Sequence, residues 1–588
     1  MHSAPQCLNT DTVPYFLHKR ATTTPTRIAY SFPELGQNCS WSELWNEVQA
    51  TAKGLLRVGI EPGDRIALLL PDRIETIVSI YSAGCVGAVT VPLNTYSKKA
   101  ELVGYLRDAR AKAIVLGSGC HGLDFPSLMR EILSDHALDP SSRDWIPSRI
   151  FAVGCTTETN EGFEDFSILS ALGRDADECI LWSACRELKH TDHMVILYTS
   201  GTTGHPKRVV RNVASFLNSV SKAEDHRHAF SVTTSISDMM AGRLSLMNLL
   251  PLYHLGGIAA LFTNLVDVNL RTVMLQYYHP VRALEILDSE GCQLLHCTPY
   301  MLSRMLSVPE RQRFELSALI GVYFSGAAAS AALLREIDEH LDVCFFGVSY
   351  GSTEAGAVAN GIVVRDRKKP VLARFLKLLL RTGVVGGEIP YASIRSSCYG
   401  VGGKVSRSAE VRVLDITTGQ PLPAGIPGEI VVRGHRVMDR DPRDAADTPF
   451  TGDGWLRTGD IGYLDEDRCL FVVERLKRVI SRGGEKISAL EVEDCLCEHE
   501  SVAEAFAYGV PDPTYGEEIC ACVKPREEAE VTPDDLRRFL SSRLSAFKVP
   551  RDIVLVDSFP LSSTGKVSVA DLRLLASSRT DEPPDDNS

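Results

Sequence analysis

Residues 198–207 read YTSGTTGHPK and follow an apolar, strand-like run. The stretch holds four Ser or Thr hydroxyls, two glycines and one lysine. Such a loop packs poorly, but it offers backbone N–H groups, hydroxyls and a positive charge to an anion. Its spacing differs from the Walker pattern, because His205-Pro206-Lys207 follows Gly204 where that pattern needs Gly-Lys-Ser/Thr. The sequence therefore predicts a phosphate-binding loop of another kind.

Size and composition limit the class of protein. The chain has 588 residues, which is too long for one compact core, so at least two domains are expected. Its net charge of −13 argues against nucleic-acid binding, which needs a broad basic face. The sixteen cysteines are scattered without a C-x-x-C pair, which predicts reduced thiols rather than disulfides or a zinc site.

The sequence also predicts a cytoplasmic location. No apolar run reaches the roughly 18 residues that a transmembrane segment needs. The N-terminus, MHSAPQCLNTDTVPYFLHKR, lacks the apolar core of a signal peptide.

Helical and strand patterns alternate between residues 40 and 115. WSELWNEVQATAKGLLRVGI carries apolar residues at helical spacing, whereas DRIALLLP is a short buried strand. This alternation predicts an α/β fold, with a large N-terminal body of stacked, mostly parallel sheets. Later strand candidates, such as MVILY, GVYFSG and VCFFGVSYG, end near Gly, Ser or Thr. Because ligands bind at the carboxyl ends of strands in open α/β sheets, these ends should converge on a site.

The pattern changes from about residue 405. AEVRVLD, GEIVVRG and CLFVVERLKRVI predict strands of a β-rich subdomain. After SRGGEKIS a small α+β pattern begins, in which Ser488 and Glu491 resemble a capping box. We expect an N-terminal domain over 1–476, a mobile C-terminal α+β domain over 477–575 and a disordered acidic tail over 576–588.

A basic and apolar segment, 365–397, contains ARFLKLLLR. It predicts a surface helix whose Lys and Arg stems cover apolar surface. A lid, a membrane-surface contact and part of a substrate tunnel are the alternatives.

Three further stretches carry side chains suited to a nucleotide. In YGSTE, Tyr350 offers a flat face, Thr353 a hydroxyl and Glu354 an oxygen ligand for Mg²⁺ bound to phosphate. RTGD places Asp460 after an expected tight turn, where a carboxylate can hold two ribose hydroxyls. PLSSTGK places Lys566 on a loop that we expect to be mobile. Taken alone, each could be an ordinary solvated surface group.

These four stretches, in this order, resemble the adenylate-forming (AMP-binding) superfamily, which includes acyl-CoA synthetases, adenylation domains of peptide synthetases and luciferases. The resemblance covers about residues 15–572. FKVPRDIVLVDSFPLSSTGK and RLKRVISRGGEKISALEVE make the chain most similar to the 4-coumarate and oxalate CoA ligases. The resemblance implies that a carboxylate attacks the α-phosphate of ATP, and that a thiol then displaces AMP. It implies ATP, Mg²⁺ and coenzyme A as cofactors and cosubstrates.

The resemblance also implies roles for individual residues in nucleotide binding. The loop would hold the β- and γ-phosphates, Thr353 would contact the α-phosphate and Glu354 would bind Mg²⁺. The ribose would lie at Asp460 and Arg475, and the adenine between Tyr350 and the loop at Gly326. The residues implied in ATP and AMP binding are Thr199, Ser200, Gly201, Thr202, Thr203, Gly204, Lys207, Gly326, Ala327, Ser349, Tyr350, Gly351, Asp460 and Arg475.

Other implied roles concern the acid and the thiol. His254, in PLYHLGG, would sit beside the carboxylate of the acid. Lys566 would bridge that carboxylate and the α-phosphate in the first step only. Lys477 matches the hinge about which the small domain turns. The coenzyme A channel would be lined by Arg482, Gly483 and Gly484.

The expected function is activation of an aryl, fatty or other organic acid and its transfer to coenzyme A. An α-amino acid is disfavoured, since PLYHLGG lacks an aspartate for the ammonium group. The alternative is an acyl-AMP ligase that loads a separate carrier protein, as in secondary-metabolite biosynthesis, which the length of 365–397 favours. Luciferase-like oxygenation and non-catalytic binding are further alternatives. The segment VMDRD, 437–441, lacks the Gly-Tyr that often follows GEIVVRG, and we expect this to affect a loop rather than catalysis.

Overall fold

The computed structural model describes residues 8–135, 145–154, 162–199, 207–217, 244–327, 331–365, 369–381, 387–388, 400–406, 408–440, 449–482, 485–526, 529–560, 567–569 and 571–572. The α-helices in this part of the chain are α1 Val13–Thr23, α2 Trp41–Arg57, α3 Ile74–Val86, α4 Lys99–Ala109, α5 Phe125–Ser134, α6 Ser167–Arg174, α7 Glu178–Glu187, α8 Ala214–Leu217, α9 Leu255–Thr263, α10 Pro280–Glu290, α11 Pro299–Leu306, α12 Ala331–His340, α13 Pro370–Arg381, α14 Ala489–Cys497 and α15 Pro533–Ser541.

The strands of the first two sheets are β1 Ile28–Phe32, β2 Gln37–Ser40, β3 Arg65–Leu69, β4 Val89–Pro92, β5 Ala113–Gly117, β6 Arg149–Val153, β7 Glu164–Asp165, β8 His193–Thr199, β9 Lys207–Asn212, β10 Ser245–Asn248, β11 Arg271–Met274, β12 Leu294–Cys297, β13 Gly321–Phe324, β14 Phe345–Ser352, β15 Gly356–Val364, β16 Gly387–Glu388, β17 Gly400–Val405, β18 Ala409–Leu414, β19 Gly428–Gly434, β20 Leu456–Leu464 and β21 Cys469–Arg475. Those of the third sheet are β22 Val479–Arg482, β23 Glu485–Ser488, β24 Val502–Asp512, β25 Gly516–Pro525 and β26 Asp552–Leu555.

Two large sheets and one small sheet organise the chain. A seven-stranded sheet has the order β7-β6-β5-β3-β4-β8-β9 and is parallel except for the β8–β9 hairpin. In the fourteen-stranded sheet the neighbours β1-β11-β10-β12-β13-β14 are parallel, whereas β17 to β21 pair antiparallel. The expected α/β fold with largely parallel sheets is therefore confirmed, and the β-rich strands extend the same sheet.

Local sequence explains the close helix packing in the body. Helix α2 begins with a capping box, because Glu43 accepts from the backbone N–H of Ser40 at 2.8 Å. It packs on α6 at a distance that only glycine allows. A Cβ at Gly54 would lie 2.0 Å from the carbonyl oxygen of Leu169, and one at Gly173 would lie 1.7 Å from that of Ala50.

The small α+β unit contains the five-stranded sheet of β22 to β26. Its core joins α14 and α15 to strand residues such as Ile487 and Ile519. Half of the expected capping box is present, since Ser488 Oγ accepts from the N–H of Glu491 at 3.2 Å. The carboxylate of Glu491 pairs with Lys548 instead, at 2.7 and 2.8 Å.

Two local predictions were wrong. The strand expected over 469–480 is broken into β21 and β22 by a 3₁₀ turn at Leu476–Arg478. The tight turn expected before Asp460 in RTGD is instead part of β20, where residues 458–460 bulge opposite Ile430. Gly459 has φ 70°, a conformation that favours glycine, and the bulge changes the direction of Asp460.

The described part of segment 365–397 includes a surface helix, as expected. In α13, Leu372, Ala373 and Leu376 pack on the sheet at Phe345 and Ile362, while Val371 is 83% exposed. Among the described residues, no helix combines the length and apolar content needed to cross a membrane.

Asp72 joins the two large sheets near the predicted acid-binding motif. It follows β3, and its N–H donates to the carbonyl of Gln276, just after β11, at 3.1 Å. Its carboxyl oxygens accept from the N–H of Leu252 at 3.1 and 3.2 Å. Only 7% of Asp72 is exposed, and burial raises its pKa to about 8 although the Leu252 N–H lowers it. A neutral carboxylic acid therefore links the sheets at neutral pH.

We expect Asp72→Asn to change how stability depends on pH. The folded protein holds this proton more tightly than the unfolded chain, whose aspartate has a pKa near 3.8. Stability is therefore lost as the pH rises from about 4 to 8, by an amount on the order of a few kcal/mol. The amide cannot ionise but keeps an acceptor for Leu252, so the variant should gain stability relative to wild type as the pH rises. Urea unfolding midpoints from pH 5 to 9 test this, with the exposed Asp175→Asn as the control. Parallel profiles for wild type and Asp72→Asn would contradict it.

Candidate active site

The β8–β9 hairpin carries both ends of the predicted phosphate loop. Thr199 ends β8 and Lys207 begins β9, and the two residues are paired in the register. Thr199 Oγ1 donates to the carbonyl of Lys207 at 3.4 Å. The structure thus brings these two predicted phosphate ligands together. The other loop residues of the prediction lie outside the described part of the chain: Ser200, Gly201, Thr202, Thr203 and Gly204.

YGSTE forms the end of a second hairpin. Ser349, Tyr350 and Gly351 lie at the end of β14, whereas Thr353 and Glu354 lie in the turn that leads to β15. The turn is closed by the Ala355 N–H, which donates to Ser352 Oγ at 3.0 Å.

Contacts from other segments hold the backbone of this turn. The carbonyl of Glu354 accepts from the N–H of Met438 at 2.7 Å, and that of Thr353 accepts from Arg211 Nη1 at 2.8 Å. The side chains of Thr353 and Glu354 are half-buried. Their hydroxyl and carboxylate oxygens fit Mg²⁺, a hard cation that takes one or two protein oxygens beside water and phosphate.

Tyr350, Asp460 and Arg475 form one hydrogen-bonded cluster. Tyr350 donates its hydroxyl to Asp460 Oδ2 at 2.7 Å, and Arg475 Nε lies 2.9 Å from Asp460 Oδ1. Asp460 and Arg475 are register partners across β20 and β21, and Asp460 is only 5% exposed. Residues 110 positions apart in the chain therefore meet at the predicted ribose site.

The electrostatics of this cluster keep Tyr350 protonated, so that its hydroxyl is the donor to Asp460. Burial and the nearby Asp460 carboxylate raise the pKa of Tyr350 well above its usual value. Burial also raises the pKa of Asp460, while Arg475 and Tyr350 oppose that shift. A carboxylate has about four acceptor positions. Tyr350 and Arg475 use two of these positions.

Gly326 and Ala327 follow β13, beside the strand that carries Tyr350. The last register pair of these strands is Phe324 with Val348, so the Gly326 turn begins next to Ser349. Gly326 has φ 84°, which favours glycine. The preceding Ser325 contacts His296 Nε2 through its hydroxyl at 3.0 Å. Burial lowers the pKa of His296 to about 4, so a neutral imidazole supports this turn.

His254 lies after β10, directly before α9. Its ring centroid is 4.5 Å from that of Tyr253. The two glycines of PLYHLGG allow α9 to approach the preceding turn closely. A Cβ at Gly257 would lie 2.2 Å from the carbonyl oxygen of Pro251, and one at Gly256 would lie 2.8 Å from Leu250.

Only some of the residues predicted for the domain movement and the thiol step lie in the part of the chain that the structure describes. Lys477 lies in the turn between β21 and β22, at the expected position between the sheets. Arg482 ends β22, where its Nε lies 2.6 Å from Glu518 and its guanidinium lies over the ring of Tyr515. Gly483, Gly484 and Lys566 lie outside the described residues.

A buried carboxylate joins the body to the small unit beside this turn. Glu474, on β21, accepts from the N–H of Leu490 at 2.7 Å and from the hydroxyl of Ser488 at 3.2 Å. It also accepts from the N–H of its neighbour Arg475 at 3.0 Å. Glu474 therefore contacts the N-terminus of α14, where the helix dipole favours a negative charge.

Three residues at these contacts were not predicted as part of the site, namely Asp72, Arg211 and His296. Arg211 and His296 are polar residues within apolar, strand-like runs, such as RVVRN, whereas Asp72 follows such a run. Such a position indicates a buried polar side chain but not its partner.

The comparisons with known proteins agree with this arrangement. The family described as AMP-binding enzyme matches residues 17–440, and the AMP-binding enzyme C-terminal domain matches 491–566. The chain is 27% identical to the medium-chain acyl-CoA ligase of Mus musculus, over 97% of this chain and 88% of that protein. It is 28% identical to 4-coumarate:CoA ligase 1 of Petunia hybrida, over 89% of this chain and 86% of that protein.

The fold is shared with ATP-bound MatB from Rhodopseudomonas palustris, with a TM-score of 0.75 and 22% identity over 97% of this chain and 99% of that one. The chain therefore belongs to the AMP-binding enzyme family, in the adenylate-forming superfamily of acyl-CoA synthetases and 4-coumarate CoA ligases.

Proposed function

We propose that the protein joins a carboxylic acid to ATP, giving an acyl-adenylate and pyrophosphate, and then transfers the acyl group to coenzyme A. The observation that carries this proposal is the Tyr350–Asp460–Arg475 cluster, which leaves two acceptor positions on a fixed carboxylate. The adjacent Thr353–Glu354 turn adds a hydroxyl and a carboxylate on the same hairpin. Together they suit a nucleotide with its ribose at Asp460 and its phosphates toward the turn.

In this proposal the binding residues act mainly by position and charge. Tyr350 and the turn at Gly326 hold the adenine, Asp460 and Arg475 hold the ribose, and Lys207 and Thr199 contact the β- and γ-phosphates. Thr353 contacts the α-phosphate, and Glu354 holds Mg²⁺. When bound, Mg²⁺ neutralises charge on the phosphate oxygens. Positioning and charge neutralisation dominate catalysis at phosphorus.

The two proposed steps use the same pocket. In the first, an acid carboxylate oxygen bonds to the α-phosphorus, and the bond to the β-phosphate oxygen breaks with release of pyrophosphate. Lys566 neutralises charge between the two reacting groups, and His254 lies beside the carboxylate. In the second, the thiolate sulfur of coenzyme A bonds to the acyl carbon, and AMP leaves with the oxygen that joined it to the acyl group.

Coenzyme A is the proposed acceptor because the relatives across most of the chain are CoA ligases. The same relatives support an aryl or medium-chain acid as substrate. A separate carrier protein is the alternative acceptor. We propose the domains 1–476 and 477–575, with Lys477 as the hinge and a cytoplasmic location. The change of sheet between Arg475 and Val479 supports this boundary.

The direct test is pyrophosphate release with aryl and medium-chain acids, with and without coenzyme A, followed by detection of the acyl-CoA. Acid-dependent pyrophosphate release and acyl-CoA formation would support the proposal. Pyrophosphate release that coenzyme A does not change, without acyl-CoA, would favour a carrier protein. No acid-dependent release with any acid would contradict adenylation.

Glu354→Gln should lower the turnover of Mg²⁺–ATP by about a hundredfold or more, the usual loss for one electrostatic stabiliser. The amide keeps the size of the side chain but is a poorer metal ligand. Pyrophosphate release is measured as a function of Mg²⁺, with Glu466→Gln, at an exposed turn, as the control. Near-normal turnover at saturating Mg²⁺ would exclude Glu354 as the ligand.

Lys566→Ala should abolish adenylate formation and leave thioester formation from a supplied acyl-adenylate largely intact. The lysine is needed only where charge accumulates between the acid and the α-phosphate. The two half-reactions are assayed separately, with pyrophosphate and acyl-CoA as products. Lys524→Ala is the control, because Lys524 is a small-domain lysine paired with Glu504 at 3.0 Å. Equal loss in both half-reactions would refute this division of roles.

Lys477→Pro should suppress thioester formation strongly and leave pyrophosphate release close to wild type. Proline fixes φ near −65°, so it restricts a torsion that a hinge must change. Lys477→Ala removes the side chain but keeps the torsional freedom, and it is the matched control. Acyl-CoA production by the proline variant equal to wild type would show that Lys477 is not the hinge.

A further inference from the structure

Arg211 is a buried cation on β9, four residues after Lys207. It is 1% exposed. Its Nη1 donates to the carbonyl of Thr353 at 2.8 Å, and its Nη2 donates to the carbonyl of Arg436. One guanidinium thus connects β9 to two segments that lie 142 and 225 residues away in the chain.

These segments form a junction with further hydrogen bonds, which we call the Arg211 junction. It consists of β9, the turn at residues 353–355 and the segment 436–439. The N–H of Asp439 donates to the carbonyl of Val210 at 3.0 Å. Asn212 Nδ2 donates to Asp439 Oδ1 at 2.8 Å. With the bond from Met438 to Glu354 described above, each segment contacts the other two.

The space around the guanidinium is filled. Gly356 begins β15 with φ 69°, and a Cβ there would lie 2.9 Å from Arg211 Nη2 and 2.5 Å from the carbonyl oxygen of Arg436. On another side, the guanidinium lies 5.5 Å from the centre of the Phe216 ring. Tight packing on both sides leaves the side chain little freedom to move.

Arg211 stays charged in this environment. Burial lowers its pKa to about 10, and the nearby Asp439 and Glu354 carboxylates oppose the shift. Burying a cation is unfavourable unless hydrogen bonds and charges compensate it. Here the compensation comes from the carbonyls of Thr353 and Arg436 and from the nearby Asp439 and Glu354 carboxylates.

We propose that Arg211 is a positioning residue for ATP, whose guanidinium fixes the turn carrying Thr353 and Glu354 against the strand that begins with Lys207. The inference rests on the proposed function and adds to it a residue that has no direct contact with the substrate. A planar guanidinium bridges two carbonyls at fixed separation, whereas a lysine ammonium is a point charge on a flexible stem. The segment VMDRD, 437–441, which lacks the Gly-Tyr that often follows GEIVVRG, also gains a role, since Met438 and Asp439 belong to the Arg211 junction.

The test is the affinity of the full-length protein for Mg²⁺–ATP and for AMP, measured by calorimetry without acid or coenzyme A. For Arg211→Met we expect Mg²⁺–ATP binding to weaken by about tenfold or more, because the turn with Thr353 and Glu354 loses a charge-assisted hydrogen bond that fixes it. AMP binding should weaken less, since AMP keeps the α-phosphate proposed to contact Thr353 but lacks the β- and γ-phosphates proposed to lie at Lys207 and the Mg²⁺ proposed to be held by Glu354. Arg211→Lys should recover part of the loss, and it carries the test if the methionine variant does not fold.

Arg365→Met is the matched control. Arg365 follows β15, at the other end of the same hairpin, and is also buried. Its Nη1 donates to the carbonyls of Leu341 and Val343 at 3.2 and 3.0 Å. This control should lose comparable stability and keep its affinity for Mg²⁺–ATP.

A double-mutant cycle with Glu354→Gln completes the experiment. If Arg211 acts through the turn, Arg211→Met should weaken Mg²⁺–ATP binding much less in the Glu354→Gln background than in wild type. Equal weakening of AMP and Mg²⁺–ATP, an equal effect of Arg365→Met, or additive losses in the cycle would each overturn the inference. Absence of Mg²⁺–ATP binding in wild type would overturn the proposed function itself, a result distinct from these three.

Discussion

The burial of one positive charge organises the candidate phosphate-binding face. Arg211 lies where β9 meets the turn at 353–355 and the segment 436–439, and its guanidinium donates to two backbone carbonyls. Without it, those carbonyls would lose their donor, a loss that costs about 1–3 kcal/mol for each buried group left unsatisfied. The strand with Lys207 and the turn with Glu354 therefore keep their relative position through a charged contact rather than through apolar packing alone.

Two other buried ionisable groups serve the same purpose elsewhere in the fold. Asp460 binds Tyr350 and Arg475, and so joins β14, β20 and β21. Asp72 joins the two large sheets through Leu252 and Gln276, but as a neutral acid, because no cation among the described residues is hydrogen-bonded to it. The difference follows from the partners: a guanidinium stabilises a buried carboxylate, whereas a single backbone N–H does not offset its desolvation.

Local patterns were sufficient for the elements but not for their contacts. The alternation before residue 115 predicted the helices and parallel strands, because periodicity depends only on which face is buried. The glycine of RTGD indicates an unusual φ but not the pairing of this segment with β19, so the sequence predicts a turn where the structure has a bulge. The run 469–480 predicts one strand, since its apolar residues continue across the break at Leu476–Arg478. The role of Arg211 and the contact between Tyr350 and Asp460 do not follow from such patterns, because the partners lie more than a hundred positions apart in the chain.

Glu474 accepts hydrogen bonds both from the residue that contacts Asp460 and from the first turn of α14. The proposed ribose site and the small unit thus share contacts with one carboxylate. Any coupling between nucleotide binding and the orientation of the small unit must be reciprocal. If a bound nucleotide favours one orientation of α14 by a given factor, a mutation or ligand that imposes that orientation raises the affinity for the nucleotide by the same factor. For a nucleotide with that preference, its affinity would report the orientation of α14 without direct observation of that orientation.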